Sequence, residues 1–317
     1  MFADTNKNTG ASDSMIRAVK KAVIPAAGWG TGLLPLTKAV PKELLPVFRK
    51  PVIQYVVEEA VAAGIEEIII VTRRGKHTLV DHFDRDAELE ALLQGRDQQA
   101  LLNQVKHIVP AHVSVLAVRQ RSPMGLGDAV LCCESVVGDQ PFAILLPDVL
   151  MQGARPGEDL RHMINRSVEA SSGQVLVQAV PEDRLHRYGV VNTAGVDMEP
   201  GGVTTITGLI EKPAPGQAPS RFAICGRYVL PAGIFDALRT AQPGVHGEVQ
   251  LTDAMATLLE RQPLEACHAL ADTVDCGTFE GLLLAGVFSA LESGTLSAAG
   301  TRALHELISR DWRSHAD

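Results

Sequence analysis

The chain has 317 residues, 46% of them hydrophobic and 21% charged, a balance that supports a packed core and excludes a largely disordered chain. Its 29 basic and 37 acidic residues give a formal net charge of −8, which argues against nonspecific nucleic-acid binding but leaves room for a phosphate ligand held by a few local cations. Five cysteines (Cys132, Cys133, Cys225, Cys267 and Cys276) form no C-x-x-C pair, so neither a zinc site nor a disulfide framework is expected, and a reducing, cytoplasmic setting fits. Residues 1–18 are polar without an apolar h-region and are expected to form a disordered arm, not a signal peptide. No apolar run approaches the ~20 residues that span a bilayer, so no membrane association is expected.

In chain order, Lys20 to Ala27 reads as a strand running into a glycine turn. Pro51 to Gly64 reads as a helix: Ile53, Val56, Val57, Ala60 and Val61 share one face, proline suits the first turn and glycine the stop. Glu67 to Thr72 is an apolar strand continuous enough to be buried on both faces. Val113–Val118, Phe142–Leu146 and Gln174–Val180 repeat the theme, and strands separated by helices imply a parallel sheet covered on both sides. From Tyr188 onward, Val190–Val191, Val203–Ile210 and Ile224–Leu230 follow one another with few helices between, as antiparallel additions at one end of the sheet would. Helical patterns return over Ala232–Arg239, Gln250–Glu260 and Phe279–Ser309.

Gly28-Trp29-Gly30-Thr31-Gly32 follows the first strand, where glycines let backbone N–H groups approach an anion or a base. Taken alone, the segment also fits a tight strand-exit turn. A dinucleotide fingerprint would need glycine where Leu33 stands, and Pro35, Pro41 and Pro46 keep the segment irregular. Arg73 and Arg74 leave an NADP-binding oxidoreductase open as a rival. Lys38 and Lys42, on a proline-stiffened loop beside the glycine turn, offer point charges suited to a triphosphate.

AAGWGTGLLPLTKAVPKELLPV resembles the signature loop of the sugar nucleotidyltransferases, and most of all that of the bacterial UTP–glucose-1-phosphate uridylyltransferases. The likeness continues in order through PVIQYVVEEAVAAGIEEIIIVT, MGLGDAVLC, LLPDV, RYGVV, IEKP, GRYVL, GEVQLTDA and DCG. It implies a Rossmann-like α/β fold: a mostly parallel central sheet flanked by helices, with a small antiparallel addition, in a single domain over residues 19–317. It also implies site roles. Ala26, Ala27 and Gly28 would hold the uracil edge with Gln120, while Gly30 and Thr31 of the turn and Gly125 and Gly127 would lie against the nucleotide. Lys42 would hold the triphosphate. Asp148 and Asp275 would share one Mg²⁺, which suits two carboxylates completed by phosphate oxygens and water. Gly189 and Glu211 would meet the sugar, and Lys212 would pair with the sugar phosphate. Catalytic work would fall to Lys42, Asp148 and Lys212, in a homo-oligomer (dimer or tetramer) that takes UTP and glucose 1-phosphate and yields UDP-glucose and pyrophosphate.

The chain departs from the family pattern Gly-x-Gly-Thr-Arg by carrying Gly32 where the arginine belongs. That arginine is expected to hold the β- and γ-phosphates. Sequence proximity offers Arg49 and Lys38 as substitutes. The departure also opens a second reading, a weakly active regulatory paralogue that binds nucleotide sugar.

Overall fold

The computed structural model describes residues 18–244 and 247–310. The arm expected over residues 1–18 lies, apart from Ala18, outside the described residues. Strand β1 (Lys21–Pro25) leads through 3-10 turns between Thr31 and Leu44 to a small hairpin, β2 (Pro46–Val47) with β3 (Lys50–Pro51). Helix α1 (Val52–Ala63) returns the chain to β4 (Glu67–Thr72), and α2 (Thr78–Asp81), α3 (Ala87–Gly95) and α4 (Gln99–Lys106) lead on to β5 (Ser114–Arg119). Helices α5 (Leu126–Leu131) and α6 (Glu134–Val137) precede β6 (Phe142–Leu145) and β7 (Val149–Gln152), and α7 (Glu158–Ala170) precedes β8 (Gly173–Ala179). There follow β9 (Gly189–Asn192), β10 (Val203–Thr205), β11 (Gly208–Glu211), β12 (Phe222–Leu230), α8 (Ile234–Thr240) and α9 (Leu251–Leu259). The described chain ends with β13 (Leu264–His268), β14 (Asp272–Asp275), α10 (Phe279–Glu292) and α11 (Ala298–Ser309).

A ten-stranded sheet runs β10-β13-β8-β12-β6-β1-β4-β5, with β9 and β11 attached beside β12. Strands β6, β1, β4 and β5 are parallel, as are β8 and β13, which gives the mostly parallel sheet expected. Strands β9, β10 and β11 are the antiparallel additions. Strand β12 differs: it runs antiparallel in the middle of the sheet, between β8 and β6, with every residue buried. An apolar run records that both faces are covered but not which way the strand points.

Two apolar layers sandwich the sheet. Along β1 and β4, Val23, Ile69 and Val71 face one core while Ala22, Ile24, Ile68 and Ile70 face the other. That alternation is why EIIIVT carries no polar residue between its ends. Helix α1 buries Val52, Ile53, Val56, Val57 and Ala60 on the second side, each large side chain contributing about 1.5–3 kcal/mol. Gly64 stops it in the left-handed region at φ 99°, donating to the carbonyls of Ala60 and Val61. The apolar pattern over residues 279–309 divides into α10 and α11, because Gly294 turns at φ 63° and the Ser297 hydroxyl caps the second helix on Gly300 N. Among the described residues no helix is long and apolar enough to cross a membrane.

Candidate active site

Because β6, β1, β4 and β5 are parallel, their carboxyl ends open on one edge, where open α/β sheets place ligands. The glycine turn leaves β1, Gln120 follows β5 and Asp148 follows β6. They enclose a cavity of about 400 Å³, lined among others by Ala27, Gly28, Thr31, Lys42, Gln120, Gly125 and Asp148. Gly30 sits at φ 72°, and a Cβ there would lie 3.3 Å from Thr37 and 3.4 Å from the Lys42 Cβ. Thr37 Oγ1 also donates to the Gly30 carbonyl at 2.7 Å, so the turn is pinned against the lysine segment. Ala26, Gly30 and Gly127 do not line it themselves. Side chains at Gly125 and Gly127 would collide with the Val249 carbonyl, at 2.8 and 2.9 Å, so both glycines also admit the segment crossing them.

The amide of Gln120 is oriented by Gly125 and by Asp128, a residue that the sequence reading did not single out. Its Nε2 donates to Asp128 Oδ2 at 2.7 Å and to the Gly125 carbonyl at 3.2 Å. A carboxylate only accepts, so the amide nitrogen is fixed toward Asp128 and the amide oxygen stays available for a donor such as uracil N3–H.

Asp148 and Asp275 lie far apart in sequence and meet through the antiparallel pair β7–β14, in which Asp275 is opposite Val149. Cys276 N donates to the Asp148 carbonyl at 2.7 Å. A Cβ on Gly277 would lie 2.9 Å from Asp275 Oδ1 and 3.0 Å from Asp148 Oδ2, so the space between the carboxylates exists because residue 277 has no side chain. That cradle fits a small hard cation whose remaining ligands are phosphate oxygens and water. Among the described residues no cluster of three or more acidic, His or Cys side chains offers an alternative. The Lys42 ammonium is paired with Asp148 Oδ2. Burial opposes its charge, but Asp148, with Glu43 and Asp275 beyond, holds Lys42 above the usual lysine pKa.

Two buried charges support this arrangement. Lys76 Nζ reaches both oxygens of Glu43 at 2.9 Å and the Ala26 carbonyl at 2.8 Å, tying the exit of β1 to the lysine loop. Arg227 of β12 makes a bidentate pair with Glu59 at 2.8 and 2.7 Å. It also donates to the carbonyls of Leu146 and Val149, at 3.2 and 2.7 Å, which flank Asp148.

A second cavity of about 420 Å³ adjoins the first and shares Leu146 and Asp148 with it; Tyr188, Arg184 and Asp275 also line it. Gly189 and Glu211 sit opposite each other on the β9–β11 ladder. Glu211 Oε2 accepts from Thr252 Oγ1 at 2.7 Å, and a Cβ on Gly189 would lie 3.1 Å from that oxygen. Lys212 is exposed, 3.5 Å from Glu211 Oε1. These three residues flank the second cavity's Tyr188 without lining it themselves.

Gly32 closes against the loop that carries Asp275: a Cβ there would lie 3.0 Å from the Gly277 carbonyl. The two cations that sequence proximity offered stand outside the cavity lining. Arg49 is exposed on the β2–β3 turn and Lys38 is exposed in the loop.

The nucleotidyl transferase family model matches residues 21–290. A UTP–glucose-1-phosphate uridylyltransferase of Escherichia coli (strain K12) is 46% identical over 281 residues, covering 88% of this chain and 92% of the relative. A UTP-bound UGPase from Acinetobacter baumannii superposes with a TM-score of 0.84 at 41% identity, over 92% of this chain and 100% of that one. A UDP-glucose pyrophosphorylase complexed with UDP-glucose gives a TM-score of 0.77 at 36% identity, over 86% of this chain and 99% of that one. The chain belongs to the nucleotidyl transferase family, among the bacterial UTP–glucose-1-phosphate uridylyltransferases.

Proposed function

We propose that the chain joins UTP to glucose 1-phosphate by in-line attack of a sugar-phosphate oxygen on the α-phosphorus. The bond from α-phosphorus to the bridging oxygen breaks, UDP-glucose forms and pyrophosphate leaves. The observation that carries this reading is the position of Asp148 on the wall common to two adjoining cavities, with Lys42 bonded to it. One cavity would take the nucleotide and the other the sugar phosphate. In the first, Ala27, Gly28 and Gln120 would read the base, Gly125 would lie against the nucleoside, and Ala26, Gly30 and Gly127 would act through backbone position. In the second, Gly189 and Glu211 would meet the hexose. No covalent intermediate is required: holding two anions side by side and stabilising the charge that develops between them is the catalytic task.

Asp148 and Asp275 would hold Mg²⁺, which when bound neutralises phosphate charge and polarises the α-phosphoryl group. Lys42 would release Asp148 and turn to the triphosphate as substrate enters. Residues 19–317 would work as one domain, since a single sheet runs from β1 to β13. A cytoplasmic setting accords with the five free cysteines. We also propose a homo-oligomer, dimer or tetramer, with neither nucleic acid nor membrane as partner. In support, Phe279, Leu283 and Leu284 of α10 are 51%, 67% and 54% exposed, an apolar face that a second copy would cover.

The test is a coupled pyrophosphate-release assay over a matrix of nucleotides and sugar phosphates. UTP with glucose 1-phosphate is expected to turn over and ATP is not, because adenine offers Gln120 no N3–H donor; comparable rates with ATP overturn the reading. In the same assay Lys212→Ala is expected to raise KM for glucose 1-phosphate by at least tenfold and leave that for UTP within about twofold, roughly what losing one charge-assisted hydrogen bond costs. Equal weakening of both substrates would remove Lys212 from the sugar-phosphate site.

A further inference from the structure

We propose that Arg73, carried on the indole of Trp29, is the guanidinium that takes the β- and γ-phosphates in place of the arginine that Gly32 lacks. The proposal rests on the uridylyltransferase reading. Arg73 follows β4, between the exits of β1 and β5, on the edge of the sheet where the nucleotide cavity opens. Thr72, its neighbour, accepts from Gln120 N at 2.9 Å. The guanidinium carbon lies 3.8 Å from the centroid of Trp29, which belongs to the glycine turn and lines that cavity. Trp29 is 60% exposed, an unusual place for the largest apolar side chain unless a ligand or a cation uses its face.

Arg73 differs in its pairing from the lysines placed around the two cavities. Lys42 is offset by Asp148, Lys76 by Glu43, and Lys212 by Glu211. Arg73 has no carboxylate partner among the described residues, and its Nη1 finds only the Arg74 carbonyl at 3.3 Å. Its Nε is the one buried side-chain nitrogen or oxygen among the described residues without a hydrogen-bond acceptor. A guanidinium with a full charge and a stacked plane matches the bidentate geometry of phosphate oxygens. Gly32 cannot supply that charge, and among the described residues Arg73 is the one cation stacked on a ring that lines the cavity. Trp29 and Arg73 together replace a side chain on the turn with one that reaches the turn from the neighbouring strand.

The two phosphates concerned are present in UTP and in pyrophosphate but leave before UDP-glucose exists as product. Full-length Arg73→Ala is therefore titrated by calorimetry with UTP and with UDP-glucose, and its KM for pyrophosphate is measured in the reverse direction. The expected result is a UTP Kd at least tenfold weaker, a comparable rise in KM for pyrophosphate, and a UDP-glucose Kd within twofold of wild type. Unchanged UDP-glucose binding also certifies the fold. Arg73→Lys, which keeps the charge and loses the planar fork, is expected to recover part of the UTP affinity. An unchanged UTP Kd, or equal weakening of UTP and UDP-glucose, overturns the proposal, the latter by placing Arg73 on the uridine. If the wild-type protein binds neither nucleotide, it is the uridylyltransferase reading that falls.

Discussion

Asp148→Asn and Asp275→Asn are each expected to lower the rate of UDP-glucose synthesis by about 10²–10³ or more, the scale of losing an aimed charge from a phosphoryl-transfer site. The geometry separates chemistry from folding. The contact that joins the two loops, Cys276 N to the Asp148 carbonyl, is backbone to backbone and survives both substitutions. Gly277 N bonds Asp275 Oδ1 at 2.9 Å, and an asparagine oxygen accepts that bond as well. What disappears is negative charge facing the cradle beside Gly277. Asp148→Asn also removes the partner of Lys42, whose ammonium is partly open to water and can be rehydrated. Thermal unfolding is expected to move by a few degrees at most, while pyrophosphate release at limiting Mg²⁺ collapses. A variant that keeps the wild-type rate under those conditions is not a metal ligand.

The sequence made the parallel half of the fold legible because its signals are local. Apolar runs such as EIIIVT, the proline and glycine that bound α1, and the glycine turn after β1 each state their own conformation. The strands that position Asp148 and Asp275 are different. Val149–Gln152 and Asp272–Asp275 are short and partly polar, and they become strands only by pairing with each other. The central place of β12 is likewise a property of its neighbours. At the site, Lys42, Gln120, Asp148 and the glycine turn were legible through the resemblance and stand around one cavity. Lys76, Arg227 and Asp128 were not, and Arg73 was read only as a possible NADP contact. In sequence each is one more charged residue. What distinguishes them is burial beside a particular partner, or the lack of one, which only the folded chain reveals.

The pair Lys76–Glu43 gives the largest expected effect on stability. Both side chains are almost completely enclosed, at 5% and 0% exposure. Burial pushes the Glu43 carboxyl up and the Lys76 ammonium down, each pull only partly offset by the other group's charge. Removing one member leaves the other buried with nothing to neutralise it, a loss of about 3–5 kcal/mol. Glu43→Gln is therefore expected to lower Tm by roughly 10 °C, given a few degrees per kcal/mol for a chain of this size. Lys76→Met is expected to cost less, because the raised carboxyl can accept a proton and become neutral. The double variant should regain most of the lost stability, since replacing a buried ion pair with neutral groups of similar volume is often close to neutral. Activity should not follow. Lys76 Nζ also holds the Ala26 carbonyl, and methionine offers no donor to that oxygen. The exit of β1 then loses the contact that sets it against the lysine loop, and the backbone of Ala27 and Gly28, which would read the base, loosens with it. Thermal unfolding and KM for UTP, measured on the wild type, both single variants and the double, separate the two roles. Recovery of Tm with a KM for UTP still raised at least several-fold is the expected pattern. If KM returns with Tm, Lys76 serves only to neutralise Glu43 and has no part in shaping the nucleotide site.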